Sequence, residues 1–230
     1  MLWSYAKSLK NGVSVVCQNR LPKPNVRKYA CNHQSFDLEE KKMGQAKTLN
    51  PKELRQVLSY ISYHKHAARN RAMLLMTHWA GVRVKEVAAL RIADVVNSDG
   101  TINEEVRLLP EQTKGRHART VFIAEKLRKE LAAYVKTIDV RNPSKPLFYT
   151  QKSAAFTSNT LCQHFHWLYK KAGIPGASSH SGRRSFITAL ANRGIGVRVL
   201  MSLAGHRNIS TTQAYIDVND GMKRAAVELI

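Results

Sequence analysis

"LAGHRNISTTQAYI", residues 203–216, sets the terms for the chain. Leu203 and Ala204 close an apolar run that reads as a helix over 197–204, and Gly205 is its stop. His206 is left at the helix exit. Ser210 then caps a short helix over 210–216 that carries Tyr215, nine residues after His206. Two readings stand at this point. Tyr215 is a half-buried aromatic in an ordinary helical turn, or it is a nucleophile whose partners lie elsewhere. The surrounding sequence has to separate them.

Working outward, the chain from Leu49 onward is patterned for helices. "LNPKELRQVLSYI" offers Asn50 as N-cap, Pro51 at the first helical position, and Leu54, Val57, Leu58 and Ile61 at helical spacing. "AARNRAMLLMTHWA" follows and stops at Gly81, and "VKEVAAL" begins after Arg83. "EVRLLPEQTKGRHARTVFIA" reads as a β-hairpin with its polar turn at Thr113–His117. Helices are expected again over 124–136, 158–172 and 181–193, with Gly173 and Gly194 as stops. The expectation is a mainly α domain with a small antiparallel β-sheet (α+β) over 47–230. Residues 1–46, rich in turn residues and charge, read as an irregular N-terminal extension.

The charge balance narrows the partner. Of 230 residues, 37 are Lys or Arg and 16 are Asp or Glu, a formal net charge of +21. That surplus points to a polyanion, because each neutralised phosphate releases condensed counterions. The basic residues are spread along the chain, which fits an extended folded surface better than a charged tail. No apolar run approaches the roughly 18 residues of a membrane span. Three widely spaced cysteines, Cys17, Cys31 and Cys162, fit a reducing, cytoplasmic setting.

Four separated clusters carry possible chemistry, each with a plain alternative. Arg83 in "AGVRVKE" stands at a helix start, where fixed donors suit a phosphate; the alternative is a surface arginine paired with Glu86. Lys114 in "TKGRHAR" presents an ammonium on a turn, or is a solvated lysine. In "SSHSGRRSF", His180 and Arg183 are three apart and share a helix face if the helix begins near Ser179 or Ser181, with Arg184 pointing about 100° away. That is a phosphate site or a basic surface patch. His206 and Tyr215 form the fourth. "CQHFH" offers Cys162 and His166 but no second ligand pair, and Phe165, Trp167 and Leu168 read as core, so no metal is expected.

Together, in this order, the clusters resemble the tyrosine recombinases, or phage integrase family, over about residues 47–230. Arg83 is similar to the family's first arginine and Lys114 to its β-hairpin lysine. His180 and Arg183 in "HSGR" match its His-x-x-Arg motif, and His206 and Tyr215 match its final pair. The resemblance implies the tyrosine recombinase catalytic-domain fold and a site-specific recombinase with type IB topoisomerase-like chemistry. Tyr215 would attack DNA to leave a 3′-phosphotyrosyl link and a free 5′-hydroxyl. Arg83, Arg183 and His206 would hold the non-bridging oxygens. His180 would accept or orient the tyrosine proton, and Lys114 would protonate the leaving oxygen. Neither metal, ATP nor another cofactor is implied.

Arg116, Arg184 and Arg207 are the expected further phosphate contacts by position. The partners implied are double-stranded DNA, a homotetramer assembled on it from monomers or weak oligomers, and accessory DNA-bending proteins, with no membrane. Family members usually carry a helical core-binding domain before the catalytic one, and residues 1–46 do not read as such a bundle. DNA relaxation and a catalytically idle DNA-binding remnant are the rival readings. The tail after Tyr215 packs on its own domain or on a neighbouring protomer.

Overall fold

The computed structural model describes residues 46–113, 115–150, 155–216 and 220–228. The extension expected over 1–46 lies almost wholly outside the described residues, and so does Lys114.

The domain starts as its sequence directs. α1 (Pro51–Ser62) opens with a reciprocal cap: the Asn50 side chain accepts from the Glu53 backbone N–H at 2.8 Å, and the Glu53 carboxylate accepts from the Asn50 N–H at 3.0 Å. Its buried face is Val57 and Ile61. α2 (Ala67–Trp79) is buried without interruption from Ala72 to Thr77, so this stretch has no solvent-facing side and runs through the core. It packs on α1, on α3 (Val84–Ala89), on α5 (Glu125–Val135) and on α7 (Ser181–Ala191). A one-turn helix, α4 (Ile92–Val95), follows α3.

The sheet is two antiparallel strands, β1 (Glu105–Leu108) and β2 (Arg119–Phe122), in the register Glu105↔Phe122 to Leu108↔Arg119. Val106, Leu108 and Val121 point inward. The connection is broader than a tight hairpin. After Leu108 the chain makes a 3-10 turn at Pro110–Gln112, because Pro110 cannot donate to a ladder. The buried Thr113 hydroxyl then accepts from the His117 N–H at 3.1 Å.

α6 (Ser158–Lys171) is capped by Thr157 and buries Leu161, Phe165, Leu168 and Tyr169. Trp167, expected in the core, is 53% exposed with the Lys170 ammonium 5.1 Å from its ring; it falls on the opposite side of the helix from Phe165 and Leu168. α8 (Val197–Ala204) ends at Gly205, whose φ of 60° is left-handed, as read from the sequence. α9 is shorter than expected. It spans Ile209–Gln213, is capped by Asn208 and not Ser210, and leaves Tyr215 in the turn just beyond its end. α10 (Asp220–Val227) follows. Among the described residues no helix is long and apolar enough to cross a membrane.

Candidate active site

The site is built where α2 ends, α3 and α7 begin, and α8 ends. A helix leaves its last carbonyls without intrahelical partners and carries partial negative charge there. In α8 the carbonyls of Leu203, Ala204 and Gly205 each accept from a different arginine. Arg119 Nη1 reaches Leu203 at 3.0 Å, Arg183 Nη2 reaches Ala204 at 2.5 Å, and Arg83 Nη2 reaches Gly205 at 2.9 Å. Three guanidiniums thus converge on one turn, immediately before His206.

Each is held from behind. Arg183, 4% exposed, also donates through Nη1 to the Gly81 carbonyl at the end of α2. Glu86 in α3 is completely buried and binds two arginines: Arg83 Nη1 at 2.9 Å, and Arg119 Nη2 at 2.6 Å with Nε at 3.3 Å. It also accepts from the Arg83 backbone N–H at 2.9 Å. The plain alternative for Arg83, pairing with Glu86, is therefore present, but the pair is interior and shared. Burial alone would raise the Glu86 pKa. Arg119 and then Arg83 outweigh it and hold the carboxyl below its ordinary value.

The glycines of the motifs have steric reasons. A Cβ on Gly182 would lie 2.1 Å from Thr77 Oγ1, so α7 approaches α2 only without one. A Cβ on Gly81 would lie 2.5 Å from the Phe186 ring, and one on Gly205 would lie 2.6 Å from Arg119 Cδ, both at positive φ. Glycine here is what lets the arginines reach the carbonyls.

His206 joins the cluster through both ring nitrogens. Nε2 is 2.9 Å from Arg183 Nη2, and Nδ1 is 2.9 Å from Thr212 Oγ1. A guanidinium only donates, so Nε2 accepts and Nδ1 carries the proton. Burial, then the charges of Arg183, Arg83 and Arg119, lower the His206 pKa to about 4, which keeps the ring neutral. Burial, then Arg83 and Arg119, likewise lower Arg183, to about 9. Beyond the effect of burial, Arg183 and His206 are thus short of negative charge, and an anion in contact with them would relieve both.

Tyr215 stacks on His206, with ring centroids 5.6 Å apart and planes inclined by 23°. The Arg184 guanidinium lies 5.4 Å from its ring centroid, and the Thr188 hydroxyl donates to its carbonyl at 3.3 Å. Two openings meet at Thr211. One, of about 590 Å3, is lined by Arg83, Gly115, His117, Arg119, His206 and Arg207, among others. The other, of about 390 Å3, is lined by His180, Arg184 and Tyr215 with Ala46, Thr211 and Ala214.

The expected face-sharing of His180 and Arg183 is not what the structure has. His180 is the N-cap position of α7 and exposed, so it lines the tyrosine's opening with Arg184, one full turn on, whereas Arg183 turns inward. Ser181 does not cap α7 either; its hydroxyl accepts from the Ser178 N–H at 2.9 Å. Of the further phosphate contacts, Arg207 is exposed and lines the larger opening, Arg184 sits by Tyr215, and Arg116 is exposed at a φ of 51° and lines neither. Arg119 and Thr212 were not singled out from sequence, and Glu86 was named there only as a surface partner for Arg83.

Residues 47–222 match the model of the phage integrase family. A tyrosine recombinase XerA of Pyrococcus horikoshii is 30% identical over 187 residues, covering 79% of this chain and 60% of the relative. The chain thus spans about three fifths of the length of that curated relative. A crystal structure of XerA recombinase superposes with a TM-score of 0.65 at 26% identity, over 81% of this chain and 65% of the other. A Tn1549 transposon integrase, solved in complex with a circular intermediate DNA, shares the fold with a TM-score of 0.66 at 20% identity, over 81% of this chain and 67% of the other.

Proposed function

The chain belongs to the phage integrase family, and on that premise we propose that it is a tyrosine site-specific recombinase that cleaves and rejoins double-stranded DNA. The observation that carries this reading is the convergence of Arg83, Arg183 and His206 on the end of α8, with the Tyr215 ring stacked on that same histidine.

A phosphodiester is an anion, and attack on it gathers further charge on the non-bridging oxygens. Arg83 and Arg183 supply fixed donors at that point, held from behind by Glu86 and by the Gly81 and Ala204 carbonyls. An oxygen that takes the Arg183 Nη2 hydrogen releases His206 Nε2 from its acceptor role. With the proton moved to Nε2, His206 becomes a third donor. Tyr215 attacks, His180 in the same opening takes or orients its proton, and Lys114 protonates the departing 5′-oxygen. The products are a 3′-phosphotyrosyl link and a 5′-hydroxyl. The link conserves the energy of the broken bond, so the hydroxyl of another strand reverses the step without ATP. Arginines and histidine provide the charge stabilisation that a metal ion would otherwise give.

Repeated by four protomers on two duplexes, with monomers or weak oligomers as the free form and DNA-bending proteins as accessories, the cycle becomes strand exchange. A cytoplasmic setting is part of this reading, in keeping with three widely spaced cysteines. Arg116, Arg184 and Arg207 add backbone contacts.

The test is covalent trapping in EDTA. The protein and its Tyr215→Phe variant are mixed with a nicked suicide-substrate library with randomised flanks and run on a denaturing gel. A protease-sensitive shifted band with the native protein alone is expected. DNA binding without an adduct would overturn the reading in favour of an idle DNA-binding protein.

A further inference from the structure

We infer that Arg119 is a positioning residue of this site, acting through Glu86 and through the end of α8. The inference rests on the cleavage reading and adds to the six residues that carry it.

Arg119 opens β2, and its side chain is 10% exposed at the wall of the larger opening. Its fork is fully engaged. Nη2 and Nε hold the two Glu86 oxygens at 2.6 and 3.3 Å, and Nη1 holds the Leu203 carbonyl at 3.0 Å. Among the described residues the only other arginine on Glu86 is Arg83. With both arginines in place one carboxylate faces two guanidiniums, and a net positive charge is left for a phosphate. Without Arg119, Glu86 is a wholly buried carboxylate with Arg83 as its one remaining arginine. The pair would then be neutral, and Arg83 would be drawn off the phosphate.

The geometry adds a second route. Arg119 and Arg83 grip α8 two carbonyls apart, and Gly205 has no Cβ because Arg119 Cδ occupies that space. Arg119 therefore fixes the turn from which His206 projects. It also ties that turn to the return limb of the hairpin segment that carries Lys114 in the sequence. A lysine at this position would keep the charge but lose the fork, since one ammonium cannot span both Glu86 oxygens and the Leu203 carbonyl.

The test compares the native protein with Arg119→Gln, Glu86→Gln and the double variant, by single-turnover cleavage of the sequence that the native protein traps. The scissile group is either the natural phosphate or a neutral methylphosphonate, and the Tm of each variant is recorded. On the phosphate, Arg119→Gln should cleave roughly 10- to 100-fold more slowly, by analogy with the outer partners that orient metal ligands. The double variant should cleave faster than Arg119→Gln alone, because Glu86→Gln removes the charge that would neutralise Arg83. On the methylphosphonate the Arg119→Gln defect should shrink, since less charge needs to be met. Equal losses on both substrates would mean a merely structural role and would overturn the inference. So would a double variant no faster than Arg119→Gln, or an Arg119→Gln rate equal to native. If the native protein forms no adduct, the cleavage reading itself falls. The role assigned to Arg119 falls with it, whatever the Tm values show.

Discussion

The two sides of the candidate site are built differently. On the arginine side, Arg83, Glu86, Arg119, Arg183 and His206 form one hydrogen-bonded body, buried or half-buried, anchored to the ends of α2 and α8. On the tyrosine side, His180 is exposed, Arg184 and Tyr215 are half-buried, and Tyr215 is placed by ring contacts and a carbonyl bond beyond the end of a helix five residues long. The anion receptor is assembled by folding, since its members also close the core. Tyr215, the proposed nucleophile, rides on a short segment with few constraints. Such a division suits a reaction in which the phosphate must be met by fixed charges while the tyrosine reaches the phosphorus, holds it covalently and is released again.

Substitutions on the two sides should therefore differ in kind. Arg183→Gln is the largest expected effect. It removes donors to the phosphate and leaves the Gly81 and Ala204 carbonyls without them inside the protein. Cleavage should fall by roughly a thousandfold, as for loss of a principal oxyanion donor. Stability should fall with it, by about 2 kcal/mol for buried carbonyls left unpaired. Single-turnover trapping and thermal unfolding check the two halves. A variant that loses cleavage and keeps its Tm would separate the receptor from the core and break the comparison.

His180→Gln is the counterpart and smaller. An exposed ring that orients or accepts a proton contributes on the order of a hundredfold to the rate. It holds no buried group, so its loss should leave Tm unchanged. A fall in Tm comparable to that of Arg183→Gln would show that the tyrosine side is also part of the folded frame.

The same division explains what the sequence could tell. Arg83, Arg183, His206 and Tyr215 stand beside local punctuation: Gly81 at a helix end, Gly182 where α7 meets Thr77, Gly205 at a left-handed stop. These signals are short-range and show where helices stop and start, but they leave each cluster open; the order of all the clusters, through its resemblance to the family, chooses among the readings. Glu86 and Arg119 carry no such mark. Their bond joins residues 33 positions apart, and Arg119 reaches Leu203 across 84. Only the folded chain makes a buried glutamate into a shared counter-ion. Sequence gives His180 the wrong neighbour because helical spacing alone does not choose between i+3 and i+4. The packing of α7 on α2 decides it, turning Arg183 inward and leaving Arg184 with His180. Trp167 is misplaced for a similar reason: an aromatic amid core residues says nothing about which side of the helix it occupies.

Acid should sharpen the comparison, with the smallest effect. Three histidines are held neutral in the folded protein, His78, His164 and His206, each with a pKa lowered to about 4. For His78 the causes are burial and then Lys126; for His164 they are burial, then Arg69 and His66. His78 Nδ1 and His164 Nε2 are buried without a hydrogen-bond partner among the described residues. The unfolded chain takes up these protons near pH 6.5 and the folded chain only near 4. The stability contributed by the neutral rings is thus complete above about pH 6.5 and is lost as pH falls toward about 4. For His78 and His164 the loss should be about 2 kcal/mol each after allowance for solvent screening. His206 should behave differently once DNA is bound. A phosphate beside it supplies the missing anion and raises its pKa, whereas nothing at the active site reaches His78 or His164. Histidine ring resonances followed by NMR from about pH 7.5 to about 4 should then show His206 alone moving to higher pH when a duplex is added to the Tyr215→Phe variant. If all three shift together, or none does, the arginine cluster is not where the phosphate sits.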